Sequence, residues 1–361
     1  MRHLGWERFH NTWLPNMPPS SASAAFRSTI IEVARDAGVS KTSVSRYLGG
    51  ERHRLSPDMQ ARIATAIQRL GYRPNQMARG LKGGRSKLIG MLVADIRNPF
   101  SVDVLHGVEQ ACRARGFSLL VCNTDNDPAQ ERDHLALLAS YRVEGIVINA
   151  AGRPSAELKA LAAQGTPIVL LDRSLGDVDA DVVGLDNASA IDLAIEHLVE
   201  QGYRHMLFVS EPPQGASSRQ LRLDRFHQRL AQMPELTGDA TCLPMQRDAA
   251  ELRQRLGSFL AGEAQAPRAI LCANGNVTLQ VALALNALHA RLGETGLLGI
   301  DELDWCALAG PGITTLAQPT EAIGRATVES LMQRLEPMGR QAPPRRTEYA
   351  ARLIARGSTQ R

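Results

Sequence analysis

Residues 28–48, STIIEVARDAGVSKTSVSRYL, contain two helix starts, at Thr29 and at Ser40. Thr29 with Glu32 three residues on forms a capping box, in which each side chain satisfies a backbone N–H left over at the helix end. Val33, Ala34 and Ala37 follow at helical spacing as one apolar face, and Gly38 permits a sharp turn. Ser40 caps a second helix with Val44 and Leu48 inward and Lys41, Thr42, Ser45 and Arg46 on its other face. A third helix starts at Ser56, with Pro57 at the first helical position, where its missing N–H costs nothing. Ile63, Ala66, Ile67 and Leu70 form its stripe, and Gly71 ends it. Three short helices with a tight glycine turn between the first two describe a helix-turn-helix. An ordinary three-helix bundle would need no basic, short-polar face on its second helix, so DNA is the expected partner.

The charge distribution agrees. The chain has 361 residues and a formal charge of +4, an unremarkable average. Residues 27–87 hold 13 basic and 4 acidic side chains, whereas residues 88–361 hold 26 basic and 32 acidic. A small basic head on a large acidic body suggests a polyanion-binding module fused to something else. An apolar fraction of 44% fits a folded protein of two or three domains. Residues 1–27 read as a disordered leader, with Met17 as an alternative start. That leader has no apolar core of a secretory signal, and no run of about 18 apolar residues occurs anywhere, so a cytoplasmic protein is expected. The five cysteines are scattered and sit beside apolar residues, as buried thiols do.

From Leu88 the pattern becomes strand then helix, repeatedly. LIGMLVAD is followed by a helix over 100–115, FSLLVC by one over 129–141, GIVIN by one over 155–164, and then comes PIVLLD. After Asp186 the rhythm restarts with a helix over 188–201, HMLFVS, helices over 219–231 and 248–261, AILCAN, a helix over 277–291, and LLGID. Such alternation implies parallel sheets covered by helices, and ligands in such folds bind beyond the carboxyl ends of the strands. Those ends carry Asp95, Asn98, Asn149, Asp172, Arg173, Asn274 and Asp301, with Arg222 early in a helix. Amide, carboxylate and guanidinium groups converging on one cleft suit a polyhydroxylated ligand.

The run IIEVARDAGVSKTSVSRYL, then LSPDMQARIATAIQRLGYRPNQMARGL, resembles the DNA-binding head of the LacI/GalR family of bacterial repressors. That resemblance implies a head at 28–73 whose second helix enters the major groove of a palindromic operator. Lys41, Thr42 and Arg46 would read base edges, and Thr29, Ser40 and Ser45 would contact the DNA backbone. It also implies a hinge helix within a 74–87 linker, in which Asn75, Ala78 and Leu81 meet DNA and Leu81 wedges into the minor groove. Gly80 departs from the family there. It stands where most relatives carry a better helix former, and glycine costs about 1 kcal/mol in a helix interior.

The resemblance continues to residue 356. It implies a two-lobed periplasmic-binding-protein-like α/β core, with lobe 1 at about 88–186 and 319–338 and lobe 2 at about 187–318 and 339–356. The family's effector positions fall on Asn98, Phe100, Asn149, Asp172, Arg173, Ser218, Arg222, Asn274, Asp301 and Gln318. Gly275 follows Asn274 where relatives usually have aspartate, which removes a carboxylate that would repel an anionic ligand. Trp305 reads as an apolar wall or a core contact. Within the family, SKTSVSRYLGGERHRLSPDMQARIATAIQRLGYRPNQMARGLKGG with DIRNPFSVDVLHGVEQACRARG is similar to the pseudomonad-type repressors of 2-ketogluconate utilisation. That implies a homodimer released from DNA by a sugar-acid effector. The tail has no leucine heptads, so no tetramer is expected.

Two other function classes fail on sequence. An enzyme would need a motif such as H-E-x-x-H, G-x-S-x-G or a phosphate loop, and none occurs. The nine histidines lack metal-ligand spacing, so no metal and no cofactor are expected. A periplasmic solute-binding protein would need a signal peptide and has no use for a basic head.

Overall fold

The computed structural model describes residues 28–73, 85–149, 152, 156–176, 178–244, 250–262 and 266–361. The chain forms two compact units, one ending at Ala78 and the other beginning at Arg79.

The head holds α1 (Ile30–Asp36), α2 (Lys41–Leu48) and α3 (Pro57–Arg69). The capping box at Thr29 and Glu32 is present, and Ser40 and Ser56 cap the next two helices through their side chains. Gly38 has a φ of 61°, which allows the turn between α1 and α2. Val33, Val44 and Ile63 are fully buried where the three helices meet, and Ala34, Ala37, Leu55 and Ala66 surround them.

The second unit contains two six-stranded sheets. The first has the order β11-β5-β4-β3-β1-β2, from Arg346–Tyr349 (β11), Asp181–Leu185 (β5), Ile168–Leu171 (β4), Gly145–Ile148 (β3), Leu88–Val93 (β1) and Ser118–Asn123 (β2). The second has the order β12-β10-β9-β8-β6-β7, from Arg352–Ile354 (β12), Thr314–Ala317 (β10), Gly296–Ile300 (β9), Arg268–Cys272 (β8), His205–Ser210 (β6) and Thr237–Cys242 (β7). The sheets are parallel, as expected, and only the pairing of β10 with β12 is antiparallel among the described strands. Central strands such as GIVI, IVLL and GLLGI are buried along their whole length, because helices cover both faces.

In lobe 1 the sheet is sandwiched by Pro99–Ala114 (α4), Pro128–Ser140 (α5), Ala156–Ala163 (α6) and Thr320–Leu335 (α11). Lobe 2 has Asn187–Glu200 (α7), Ser217–Gln232 (α8), Ala250–Ala261 (α9) and Gly275–Ala287 (α10) in the equivalent places, and Pro337–Arg340 (α12) follows α11. Gly107 of α4 and Gly324 of α11 let those two helices cross in backbone contact. A Cβ on Gly107 would lie 2.9 Å from the Glu321 carbonyl oxygen, and one on Gly324 would lie 2.6 Å from that of Val104. Asp181, at the start of β5, ties α11 to the sheet. It accepts from Ser330, from Arg334 Nε at 2.9 Å and from the Arg345 N–H at 2.8 Å. Burial pushes that carboxyl up, but these hydrogen bonds together outweigh it and hold the group below the usual range.

Three expected boundaries move. Strand β11 pairs with β5, so residues 346–349 belong to lobe 1 rather than lobe 2. Residues 85–87 belong to the body, because Glu144 pairs with Arg85 at 3.0 Å and accepts the Lys87 N–H at 2.8 Å. The core also runs past residue 356: Ser358 and Thr359 are fully buried, with Ser358 Oγ donating to the Leu297 carbonyl.

Candidate functional site

On the head, Lys41, Thr42, Ser45 and Arg46 are all exposed, opposite the buried Val44. The head's acidic side chains are engaged elsewhere. Glu32 binds Thr29, Asp36 pairs with Arg69, Glu51 with Arg54 at 3.3 Å and Asp58 with Arg62 at 3.2 Å. Among the described residues, no carboxylate is paired with Lys41 or Arg46, so the charge of this face is left for another molecule. Arg52 lies over the Tyr47 ring at 4.2 Å and donates to the Tyr47 carbonyl, which pins the C-terminal end of α2. Thr29 is exposed, but its N–H and its hydroxyl both donate to Glu32. Of the expected DNA contacts it therefore has the least to offer a phosphate. Asn75, Ala78, Gly80 and Leu81 lie outside the described residues.

In the body, the carboxyl ends of both sheets and the start of α8 bring one set of polar side chains together. Asn98, Phe100, Asp172 and Arg173 of lobe 1 and Ser218, Arg219, Arg222, Asn274, Asp301 and Gln318 line a single cavity. The space between them is about 30 Å³, close to the share of one water molecule. Asn98 caps α4 by accepting the Phe100 N–H at 3.2 Å. Asn274 caps α10 by accepting the Val277 N–H at 3.0 Å.

Two hydrogen bonds cross between the lobes beside this cavity. Ser218 Oγ donates to Asp172 Oδ2 at 2.9 Å, and the Ser174 N–H donates to Ser217 Oγ at 2.8 Å. Asp301 Oδ2 accepts the Gly275 N–H at 2.9 Å, while Gln318 Nε2 donates to Asp301 Oδ1 at 2.6 Å. Burial pushes the Asp301 carboxyl above its ordinary range, against the pull of Arg222 and of those two donors. Arg222 donates from Nε to Asn187 Oδ1 at 2.7 Å and from Nη1 to the Ala273 carbonyl. Arg173 donates to Asn126 Oδ1 at 2.9 Å. Among the described residues, nothing donates to the buried Asp172 Oδ1 or Gln318 Oε1, an arrangement that costs about 1–3 kcal/mol per group unless a ligand or water supplies a donor.

Asn149 is a correction. It is buried and donates to the Leu171 carbonyl at 3.0 Å, tying the ends of β3 and β4, and it does not line the cavity. Gly275 does not line it either. A Cβ there would come within 2.7 Å of Leu303 Cδ1, the end of a flexible side chain, and the functional part of Gly275 is its N–H, which donates to Asp301 Oδ2. Trp305 packs on the lobe 2 core and borders an apolar depression of about 380 Å³ with Leu279, Leu283 and Pro311, away from the cleft. Arg219, Asn187, Asn126 and Glu211 were not anticipated. Arg219 lies three residues before Arg222 and so shares its helix face, and Glu211 directly follows β6, where strand-end residues were already of interest.

Residues 29–75 match the model of the bacterial regulatory proteins of the lacI family, and residues 195–359 match a periplasmic binding protein-like domain. Over 334 residues the chain is 52% identical to the HTH-type transcriptional regulator PtxS of Pseudomonas aeruginosa, covering 92% of this chain and 96% of that one. The chain belongs to the LacI family of transcriptional regulators. Another LacI-family relative, the regulator KdgR of Bacillus subtilis, is 38% identical over 92% of this chain and 97% of its own. Among solved structures, the lac repressor dimer bound to operator and an anti-inducer superposes with a TM-score of 0.78 at 22% identity, covering 92% of this chain and 99% of that one. That likeness concerns the fold. Membership in the LacI family makes this chain a DNA-binding transcriptional regulator with a separate periplasmic-binding-protein-like core.

Proposed function

We propose that two copies of this chain bind a palindromic operator in the cytoplasm and repress transcription until a sugar acid, 2-ketogluconate, occupies the cleft and releases the DNA. The observation that carries this reading is the cavity wall. Nine of the ten expected effector positions, with Arg219, line one space with three guanidinium groups, two carboxylates and the amides of Asn98, Asn274 and Gln318. Such a wall can hydrogen-bond several hydroxyls and still attract an anion. The similarity to repressors of 2-ketogluconate utilisation points to the same ligand class.

Pockets that hold small molecules usually exceed roughly 300 Å³, far above the space present. Admitting a six-carbon acid therefore requires the lobes to part, breaking the Ser218–Asp172 and Ser174–Ser217 bonds, and then to close again on the ligand. The acid must bind the released state more tightly than the operator-bound state, since equal affinity would switch nothing. Dimerisation is supported by the apolar depression on lobe 2, where Leu279 and Leu283 of α10 are 37% and 53% exposed.

Fluorescence anisotropy with labelled promoter DNA tests the reading. 2-Ketogluconate should lower the anisotropy of the complex, while glucose and purines should leave it unchanged. Release by a neutral sugar or a purine instead would replace the ligand assignment. A complex that no sugar, sugar acid or purine disturbs would count against ligand-controlled release.

A further inference from the structure

Each carboxylate in the cavity wall has an arginine of the same wall set against it electrostatically: Asp172 with Arg173, and Asp301 with Arg222. Arg219 differs. Its carboxylate partner is Glu211, which does not line the cavity. The side chains of the pair are only 17% and 22% exposed. Glu211 Oε2 takes the Arg219 Nη2 group and also accepts from Asn274 Nδ2 at 2.9 Å, while the Pro212 carbonyl accepts from Arg219 Nη1 at 3.3 Å. Glu211 and Pro212, just beyond β6, thus hold Arg219 and Asn274 beside each other at one end of the cleft. A ligand meets three guanidinium groups but only two carboxylates, because the carboxylate that balances Arg219 stands behind it, outside the wall.

We propose that Arg219 is the specificity-determining residue that reads the carboxylate of an acidic sugar ligand, and that Glu211 positions it from behind. A guanidinium presents paired donors in the geometry of a carboxylate. The neighbouring Asn274 amide, fixed by the same Glu211 oxygen, adds a third polar group at that end. The polyol part of the ligand then lies toward Asp172 and Asp301, whose oxygens accept from hydroxyls. This inference rests on the reading of the cleft as the effector site.

Calorimetric titration of the full-length protein with 2-ketogluconate and gluconate, and with neutral fructose and glucose, tests it. Arg219→Gln should weaken binding of the acids by about ten- to hundredfold, the range for loss of a charge-assisted hydrogen bond. Binding of any neutral sugar the protein accepts should change by less than about threefold. Arg219→Lys, which keeps the charge but not the fork, should recover part of the loss. Glu211→Ala should weaken the acids, while Glu211→Gln, which retains an acceptor for Arg219, should rescue them. Operator binding of each variant without ligand shows that it is folded. If Arg219→Gln binds the acids like the parent while Arg222→Ala does not, the inference is overturned and the cleft reading stands. If both bind every ligand like the parent, the cleft reading fails as well; a parent that binds a neutral sugar but no sugar acid overturns the inference and leaves the cleft reading standing.

Discussion

Asp172 and Asp301 occupy the same place in their respective lobes. Each directly follows the fourth strand of its lobe, β4 or β9, and each has a left-handed backbone, with φ of 62° and 82°. That conformation costs a non-glycine residue on the order of 1 kcal/mol or more. It recurs in both halves, where it puts a carboxylate from each lobe into the wall of one cavity.

We expect Asp301→Asn to uncouple ligand response from stability. Asparagine tolerates the left-handed region, its oxygen can accept the Gly275 N–H, and its amide can donate to the unpartnered Gln318 Oε1 once that amide turns. Because the folded state raises the Asp301 pKa, ionising it costs stability as pH rises through that raised pKa, and the neutral variant escapes the cost. Thermal melting at pH 7 should be no lower than for the parent, while operator release by 2-ketogluconate is lost. A variant that melts much lower and still responds would contradict both halves.

Arg46→Ala should weaken operator binding by about 1–3 kcal/mol if the side chain reads a base edge. Measured by anisotropy on operator and on random DNA, the loss should be larger on operator. An equal loss on both, with a shallower salt dependence, would instead make Arg46 a phosphate contact.

Leu283→Asp should produce monomers by light scattering and abolish tight operator binding, because it places a charge on the apolar face of α10. Ligand binding by the isolated chain should persist, since α10 presents only its N-terminal cap residue, Asn274, to the cleft.

His197 is buried, and its Nε2 lies 2.8 Å from Thr359 Oγ1, which also contacts Thr314 Oγ1 at 2.7 Å. Burial lowers its pKa below 6.5, and Glu200 opposes this only in part. A lowered histidine pKa means that the folded state binds fewer protons. Its contribution is present above the ordinary histidine pKa and is lost as pH falls through the lowered folded one. Melting temperature should therefore fall as the pH is lowered below about 6.5, and His197→Gln should flatten that dependence. His205, also lowered by burial and by Arg268, contributes a slope of the same sign that remains in the variant.

The head was legible almost to the residue, because caps, a turn glycine and apolar spacing are local signals: Thr29, Ser40, Ser56 and Gly38 carry them in sequence. The central strands were legible as apolar runs. Of the five strands that escaped notice, DVVGL (β5) is apolar and buried, and the other four are polar or short. TGDATC (β7) is an exposed edge, TTLA (β10) is half threonine, and RTEY and RLI hold only four and three residues. Their place is set by partners far away in the chain. The same holds for Arg219, whose part in the cleft depends on Glu211 and Asn274 arriving from other strands, and for Ser358 and Thr359, which look like a polar tail until Leu297, Thr314 and His197 close around them.

The crossing at Gly107 and Gly324 has a consequence for biosynthesis. Lobe 1 begins near residue 85, yet the helix that closes its core and the strand that completes its sheet, 320–335 and 346–349, follow most of lobe 2 in the chain. While lobe 2 is being synthesised, α4 therefore has no partner for its glycine-bearing face, and Val104, Val108 and the edge of β5 stand open to solvent. Chains of this size fold domain by domain from the N-terminus as they emerge, but here the first lobe must wait until most of lobe 2 has been made. The nascent repressor thus passes through a state in which the core face that Ile323, Val328 and Leu331 cover is exposed, and a pause in translation before residue 320 prolongs it.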